Sequence, residues 1–158
     1  MTVINPLPVT VRDLQPGDRA GWDAVWTAYL ESYRTGLAPE VTDLLWQRLT
    51  GTPEQRHPQM GGLGAFDRSG RLVGLAHYVS GPSTWEPRDD VRLEDLAVAP
   101  DVQGRGVGRA LIEAVILRAR ERGWRRLQWS TEESNTRARQ LYDRVATRTT
   151  YVHYHVEL

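Results

Sequence analysis

The residues able to do chemistry are concentrated between Leu93 and Ala110, where an acidic pair, Glu94-Asp95, precedes a glycine-dense turn, Gly104-Arg105-Gly106-Val107-Gly108. A strand that runs into such a turn and then into a long helix leaves the first helical N–H groups unpaired. It also aims the positive end of the helix dipole at one spot. That is an anion site, and a diphosphate suits it. Glycines at 104, 106 and 108 let the backbone approach a ligand with no Cβ in the way. The spacing is Gly-x-Gly-x-Gly, not the Gly-x-Gly-x-x-Gly of dinucleotide folds. No carboxylate stands about 20 residues further on to hold a ribose, and position 128 is Gln. Each glycine inside a helix costs about 1 kcal/mol, so three in five residues imply a compensating role.

What the chain lacks narrows the chemistry further. It has no cysteine, which removes thiol nucleophiles, disulfides and cysteine-based metal centres. It has no lysine either: all 20 basic side chains are arginine, so phosphate-loop, kinase and Schiff-base lysines are excluded. The 20 acidic residues bring the formal charge to zero, which favours neither a nucleic acid nor a membrane surface. The distribution is uneven, with 9 Arg and 13 Asp/Glu in residues 1–100 and 11 Arg and 7 Asp/Glu in residues 101–158. That polarity suits an anionic ligand on the C-terminal half and a cationic one on the other, although a difference this small also arises by chance. His153 and His155 share one face of an alternating run, but no third ligand is placed, and no metal is expected. His57 and His77 stand alone in the sequence and carry no signal.

Periodicity gives the elements around the turn. Residues 9–12 alternate as a first strand, ending at Gln15-Pro16-Gly17. Asp18 caps a helix whose stripe is Trp22, Val25, Trp26, Tyr29 and Leu30, and a second helix is expected over 40–49. Strands over 61–66 and 72–80 flank a hairpin turn at 67–70, and a third such run covers 91–98. A helix over 104–122 buries Val107, Leu111, Ala114, Val115 and Ala119 and stops at Gly123. A strand at 127–130 leads to a helix capped by Ser134 or Asn135, with Ala138, Leu141, Tyr142 and Val145 inward. Residues 149–156 alternate as a last strand. The 158 residues, 40% apolar and 25% charged, are enough for one domain with a core and are expected to form a single mixed α/β domain over 1–158. No apolar stretch approaches the ~18 residues of a membrane span. Residues 1–6 lack the features of a signal peptide, so a cytoplasmic protein is expected.

Gln103-Gly104-Arg105-Gly106-Val107-Gly108 resembles the acetyl-CoA diphosphate loop of the GNAT N-acetyltransferases, Gln/Arg-x-x-Gly-x-Gly/Ala. The preceding Leu93-Glu94-Asp95-Leu96-Ala97-Val98 is similar to a strand of the spermidine/spermine and histone acetyltransferase-like group. Asn135-Thr136-Arg137-Ala138-Arg139-Gln140-Leu141-Tyr142 is similar to the family's Asn-x-x-Ala-x-x-Leu-Tyr helix, and Gly70-Arg71-Leu72-Val73-Gly74-Leu75-Ala76 to its second hairpin. Many members carry Gly-Phe soon after the tyrosine. Here Tyr-Asp-Arg-Val-Ala stands instead, a run seen in the histone acetyltransferase-like relatives, which leaves the path of the last strand open. The resemblance implies a central mixed, mostly antiparallel sheet of six to seven strands with about four helices. It also implies acetyl-CoA as cosubstrate and a homodimer paired through the alternating 149–156 segment.

Acetyl transfer to an amine needs a proton acceptor, a donor for the carbonyl oxygen and a proton for the leaving thiolate. The resemblance implies Glu94 as the base; a solvated strand carboxylate is the alternative. Strand alternation would put Glu94 and Asp95 on opposite faces, leaving Asp95 structural or on the rim of a cationic acceptor site. Backbone amides of Leu96, Ala97 and Val98 would serve the acetyl and pantetheine arm, and Tyr142 the thiolate, although Tyr142 also belongs to a plain core stripe. Gln103 to Gly108 would hold the diphosphate, assisted by Arg105 and Arg109, with Asn135 and Ala138 along the pantetheine. Glu86, Asp89 and Asp90, with Trp85, Trp26 and Tyr29, suggest a small cationic acceptor such as a polyamine. A protein lysine or N-terminal acetyltransferase, and a non-catalytic acyl-CoA-binding module, are the competing readings.

Overall fold

The computed structural model describes residues 5–158; the reading of the extreme N-terminus concerns Met1 to Ile4, which lie outside the described residues. The chain forms β1 (Thr10–Asp13), α1 (Arg19–Ser32), α2 (Pro39–Thr50), β2 (Met60–Phe66), β3 (Leu72–Gly81), β4 (Asp90–Val98), α3 (Val107–Glu121), β5 (Arg126–Gln128) and α4 (Thr136–Val145). The strands make one sheet in chain order, antiparallel except for the parallel β4–β5 pair. Five strands are present among the described residues, below the six to seven expected. The segment that accounts for most of the shortfall is 149–156, which forms no strand. Its alternation is real, but a strand needs a ladder partner, and neighbouring β5 is three residues long and already paired with β4. Tyr151, Val152, Tyr154 and Val156 are consequently between 72% and 91% exposed.

The sheet is covered on both faces. The stripe of α1 buries Trp22, Val25 and Trp26 on one face, with α2 adding Trp46 and Leu49, and the Trp22 and Trp46 rings lie 4.9 Å apart. On the other face α3 buries Val107, Leu111, Ile112, Val115 and Ala119. Its N-terminus approaches β3 so closely that a Cβ on Gly74 would lie 2.8 Å from Val107 Cγ1 and 3.1 Å from the carbonyl oxygen of Ala97. Gly74→Ala is therefore expected to destabilise the protein by about 1–3 kcal/mol through overpacking. Denaturant unfolding checks this, and an unchanged midpoint would mean that α3 can shift outward at little cost. Arg118 on α3 reaches past the sheet to Asp13 and the Tyr78 hydroxyl, both at 3.0 Å, and ties the helix to β1 and β3.

Two irregularities in β4 shape the site. Its parallel ladder with β5 runs over Asp90, Val91 and Arg92 and then ends, so from Leu93 onward the strand is hydrogen-bonded on the β3 side alone. Its register with β3 also slips: Leu93 pairs with Tyr78 and Asp95 with His77, leaving Glu94 as an extra residue. Such a bulge bends the strand and re-aims the side chains beyond it. Without it Glu94 would stand opposite His77, and Asp95 opposite Ala76 on the other face. With it, Asp95 is bonded to His77, whereas Glu94 pairs with Arg92, so the two carboxylates are directed apart.

Candidate active site

The splay between β4 and β5 opens a cleft of about 1260 Å³, roofed by the end of α1, the start of α3 and the inner side of α4. That is larger than most small-ligand pockets and is enough for a nucleotide-sized group together with a second substrate. The glycine turn forms one end. Gly104 and Gly106 have φ of +79° and +86°, values that L side chains rarely adopt, and Gly106 is the left-handed N-cap of α3. The chain therefore turns into α3 with no Cβ of its own at 104 and 106, beside the unpaired N–H groups of the first helical turn, and the Arg137 guanidinium of α4 lies 3.1 Å from where a Cβ on Gly104 would stand. Gly108 also lies on the cleft; a Cβ there would come within 3.4 to 3.9 Å of Leu141, Val98 and Leu96. A diphosphate fits this cradle on backbone geometry alone. Gln103 braces the turn, donating to the Val98 carbonyl at 3.2 Å and accepting from Arg137 of α4 at 3.1 Å. The loop is anchored from outside by the Arg71–Asp101 pair, whose guanidinium holds the Asp101 carboxyl below the usual carboxylate range.

Leu96, Ala97, Val98, Gln103, Gly104, Gly106, Gly108, Arg109, Asn135 and Ala138 all line the cleft, together with Glu94 and Tyr142. Two of the residues expected there do not. Val107 is buried beneath α3, because the first helical residue is turned onto the sheet, and Arg105 points its guanidinium toward the Asn5 carbonyl at 3.4 Å. Arg109 is on the wall and pairs with Glu113 at 2.7 Å. Asn135 is the N-cap of α4, accepting from the Ala138 N–H at 3.4 Å and donating to Thr131 at 3.1 Å.

At the other end of the cleft the bulge presents Glu94, a third exposed and paired with Arg92 of the same strand. Tyr142 comes in from α4, its ring edge-on to Trp129 at 5.5 Å, and burial raises its hydroxyl above the usual phenol value, with Tyr33 adding to the shift. Tyr29, Ser32, Tyr33 and Arg34 close this end from the C-terminus of α1. Of the residues expected to meet an acceptor, Tyr29 is there. Trp26 is instead buried in the core, stacked between Trp22 and Tyr29, and its indole nitrogen has no partner among the described residues. Glu86 and Trp85 lie off the cleft: Glu86 is paired with Arg88 at 2.7 Å, and Trp85 is 89% exposed on the loop before β4. Asp90 is taken by Arg125 at 2.6 Å, which lowers its carboxyl. Asp95 lies behind the cleft wall, against His77.

Three groups at the site carry no sequence signal that singles them out. His77 is 1% exposed and bonded on both ring nitrogens, to Trp22 and Asp95. Arg34 is the only non-glycine among the described residues with positive φ, at +53°. Its backbone closes the end of α1, the Arg34 N–H bonding Glu31 and the Thr35 N–H bonding Leu30, a position usually given to glycine. Tyr33 lies edge-on to Tyr29, ring centroids 5.1 Å apart, and lines the cleft with it; its place one turn after Tyr29 is the one hint of it in the sequence. The pair His153 and His155 falls in the exposed tail. Among the described residues no helix is long and apolar enough to cross a membrane.

Residues 22–146 match the family described as the acetyltransferase (GNAT) family. The D-amino-acid N-acetyltransferase of Saccharomyces cerevisiae is 33% identical over 147 residues, covering 92% of this chain and 89% of that protein. The thialysine N-epsilon-acetyltransferase of Bos taurus is 35% identical over 71 residues, covering 45% of this chain and 41% of that protein. A crystal structure of a ribosomal-protein-alanine N-acetyltransferase from Brucella melitensis biovar Abortus 2308 has the same fold. The TM-score is 0.77 at 21% identity, over 95% of this chain and 99% of the other.

Proposed function

The chain belongs to the GNAT family and is an N-acetyltransferase, and from that premise we propose that it carries acetyl from acetyl-CoA to the primary amine of a small amino acid by direct attack in a ternary complex. The observation that carries this reading is the meeting, in one cleft, of a glycine-opened helix N-terminus, a carboxylate on a bulge and a half-buried phenol. The diphosphate rests on the N–H groups after Gly104, and the pantetheine arm runs along the bare edge of β4 toward Glu94. The amine nitrogen bonds to the thioester carbon and gives a proton to the Glu94 carboxylate. Peptide N–H groups of that edge stabilise the oxygen as it gains charge. The carbon–sulfur bond then breaks, and the Tyr142 hydroxyl protonates the departing thiolate. With no cysteine in the chain, attack on the thioester without a protein thioester intermediate is the simpler course.

Our acceptor assignment departs from the polyamine suggested by Glu86, Asp89 and Asp90. Glu86 is away from the cleft and Asp90 is held by Arg125, whereas the acceptor end offers Glu94, paired with the exposed Arg92, together with Arg34. A carboxylate and a guanidinium facing one space suit a zwitterion, and the yeast relative bears the name of a D-amino-acid acetyltransferase. The test is thiol release from acetyl-CoA with D- and L-amino acids, polyamines, a thialysine analogue, aminoglycosides and a histone-tail peptide. Amino acids are expected to have the highest kcat/KM. Arg34→Ala is expected to raise their KM about ten-fold or more, with little effect on amines lacking a carboxylate. Preference for polyamines would restore the cationic reading, and preference for the peptide would make the chain a protein acetyltransferase.

The alternating tail also supports a homodimer, in which 149–156 of one chain would find in another copy the ladder it lacks here. Light scattering is expected to give twice the chain mass for the full sequence and a monomer for a chain ending at Arg148. A monomeric full-length protein would dismiss the pairing.

A further inference from the structure

We propose that Arg137 grips the diphosphate of acetyl-CoA, reaching from α4 across the cleft to hold it against the glycine turn. The role rests on the acetyl-CoA reading above and adds to it a side chain from the helix that faces the turn.

The turn has two arginines of its own, and both are engaged elsewhere. Arg105 points to the Asn5 carbonyl at 3.4 Å, and Arg109 pairs with Glu113 at 2.7 Å. Arg137, in the first turn of α4, lines the cleft and pairs with no carboxylate among the described residues. Its place is an unfavourable one for a cation. The first turn of a helix carries the positive end of the dipole, where an acidic side chain is stabilising and an arginine is not. Neither α4 nor α3 has an acidic residue in its first turn. Of the carboxylates on the cleft, Glu94 pairs with Arg92, Glu113 with Arg109, and Glu132 lies before α4 with the Ser134 hydroxyl 3.4 Å away. Arg137 therefore brings positive charge to a place that is already positive, and an anion held between it and the turn relieves the repulsion.

The guanidinium is also held ready. Its Nη1 donates to Gln103 Oε1 at 3.1 Å, and Gln103 Nε2 donates to the Val98 carbonyl at 3.2 Å. The orientation of the amide follows from its partners, since a guanidinium only donates and a carbonyl only accepts. This chain places Arg137 Nη2 3.1 Å from the point where a Cβ on Gly104 would stand, directly over the turn. With Nη1 occupied by Gln103, Nε and Nη2 have no acceptor among the described residues. They form one edge of the planar fork, the edge that matches two oxygens of a phosphate. A fork already fixed in the empty cleft loses less freedom on binding than a loose side chain would.

Calorimetric titration of the full-length protein with CoA, and with dephospho-CoA, which lacks the 3′-phosphate, tests this. Arg137→Ala is expected to raise the Kd of both ligands about ten-fold or more, the loss of a charge-assisted hydrogen bond. The melting temperature without ligand is expected to stay near that of the wild type, because the side chain is exposed. Arg137→Gln keeps a donor for Gln103 but removes the charge, and is expected to weaken both ligands as the Ala variant does. Wild-type affinity in the Gln variant, with loss in the Ala variant, would make Arg137 a brace of the turn and overturn the phosphate role. A loss seen with CoA but not with dephospho-CoA would move the residue to the 3′-phosphate and overturn the diphosphate assignment. A wild-type protein that binds neither ligand would overturn the acetyl-CoA reading and this role with it, whereas binding that is unaltered in both variants overturns the role alone.

Discussion

Glu94→Gln is expected to lower kcat by about 10²- to 10⁴-fold, the range for removing a positioned general base, while acetyl-CoA binding is unchanged. The substitution keeps the size and hydrogen-bonding reach of the side chain and removes its capacity to take a proton. It also loosens the ion pair with Arg92, but both partners are substantially exposed, and such a pair contributes at most about 1 kcal/mol. Stability should therefore hardly change, which separates a chemical effect from a folding one. The Gly104–Gly108 cradle lies at the far end of the cleft, so a thermal shift on adding acetyl-CoA should match that of the wild type. If kcat survives, the proton goes to another group and Glu94 is a solvated strand carboxylate. If the parent protein binds acetyl-CoA and shows no turnover to lose, the chain is a binding module.

Tyr142→Phe is expected to reduce kcat by about 10²-fold at little cost to the fold. The edge-on contact with Trp129 is made by the ring, and a phenylalanine reproduces it. The missing hydroxyl leaves the thiolate without its proton, an effect in the lower part of the range for general acid catalysis. The pH dependence has a definite sign. Tyr142 acts in its protonated form, and burial holds it above the ordinary phenol value of about 10. Wild-type kcat should thus show no loss from this group through neutral and mildly alkaline pH, declining only as pH climbs through the raised value. The Phe variant should lack that alkaline decline. Full activity in the variant would return Tyr142 to the core stripe of α4.

Much of the architecture was legible because it rests on local periodicity. The stripe Trp22, Val25, Trp26 fixes the buried face of α1, and the run from Val107 to Ala119 fixes that of α3, each by spacing alone. The glycine turn was legible because positive φ at 104 and 106 leaves glycine as the unstrained choice. What escaped depends on pairing between distant residues. The bulge at Glu94 exists in the register of β4 against β3, which no single strand encodes. His77 gains its meaning from Trp22, 55 residues away, and from Asp95, 18 residues away. The pairing of Glu86 with Arg88 and of Asp90 with Arg125 escaped because a charge count does not reveal which arginine lies against which carboxylate. The 149–156 segment has strand alternation but, within this chain, nothing to pair with.

The bare edge of β4 has a consequence for how the protein moves. Sheets usually leave unpaired peptide groups at their outer strands, yet here an internal strand is left open on its β5 side from Leu93 to Val98, while its other side stays bonded to β3. On that side its amides are held by solvent, so their hydrogens should trade with deuterium far sooner than those of β3, at the core of the sheet. A ligand lying along the edge would slow that exchange in a band from Leu93 to Val98, without any element having to rearrange. The resting enzyme is in this sense a sheet with a gap in its weave, and occupancy would be registered first as a change in local opening rate, before any change in shape.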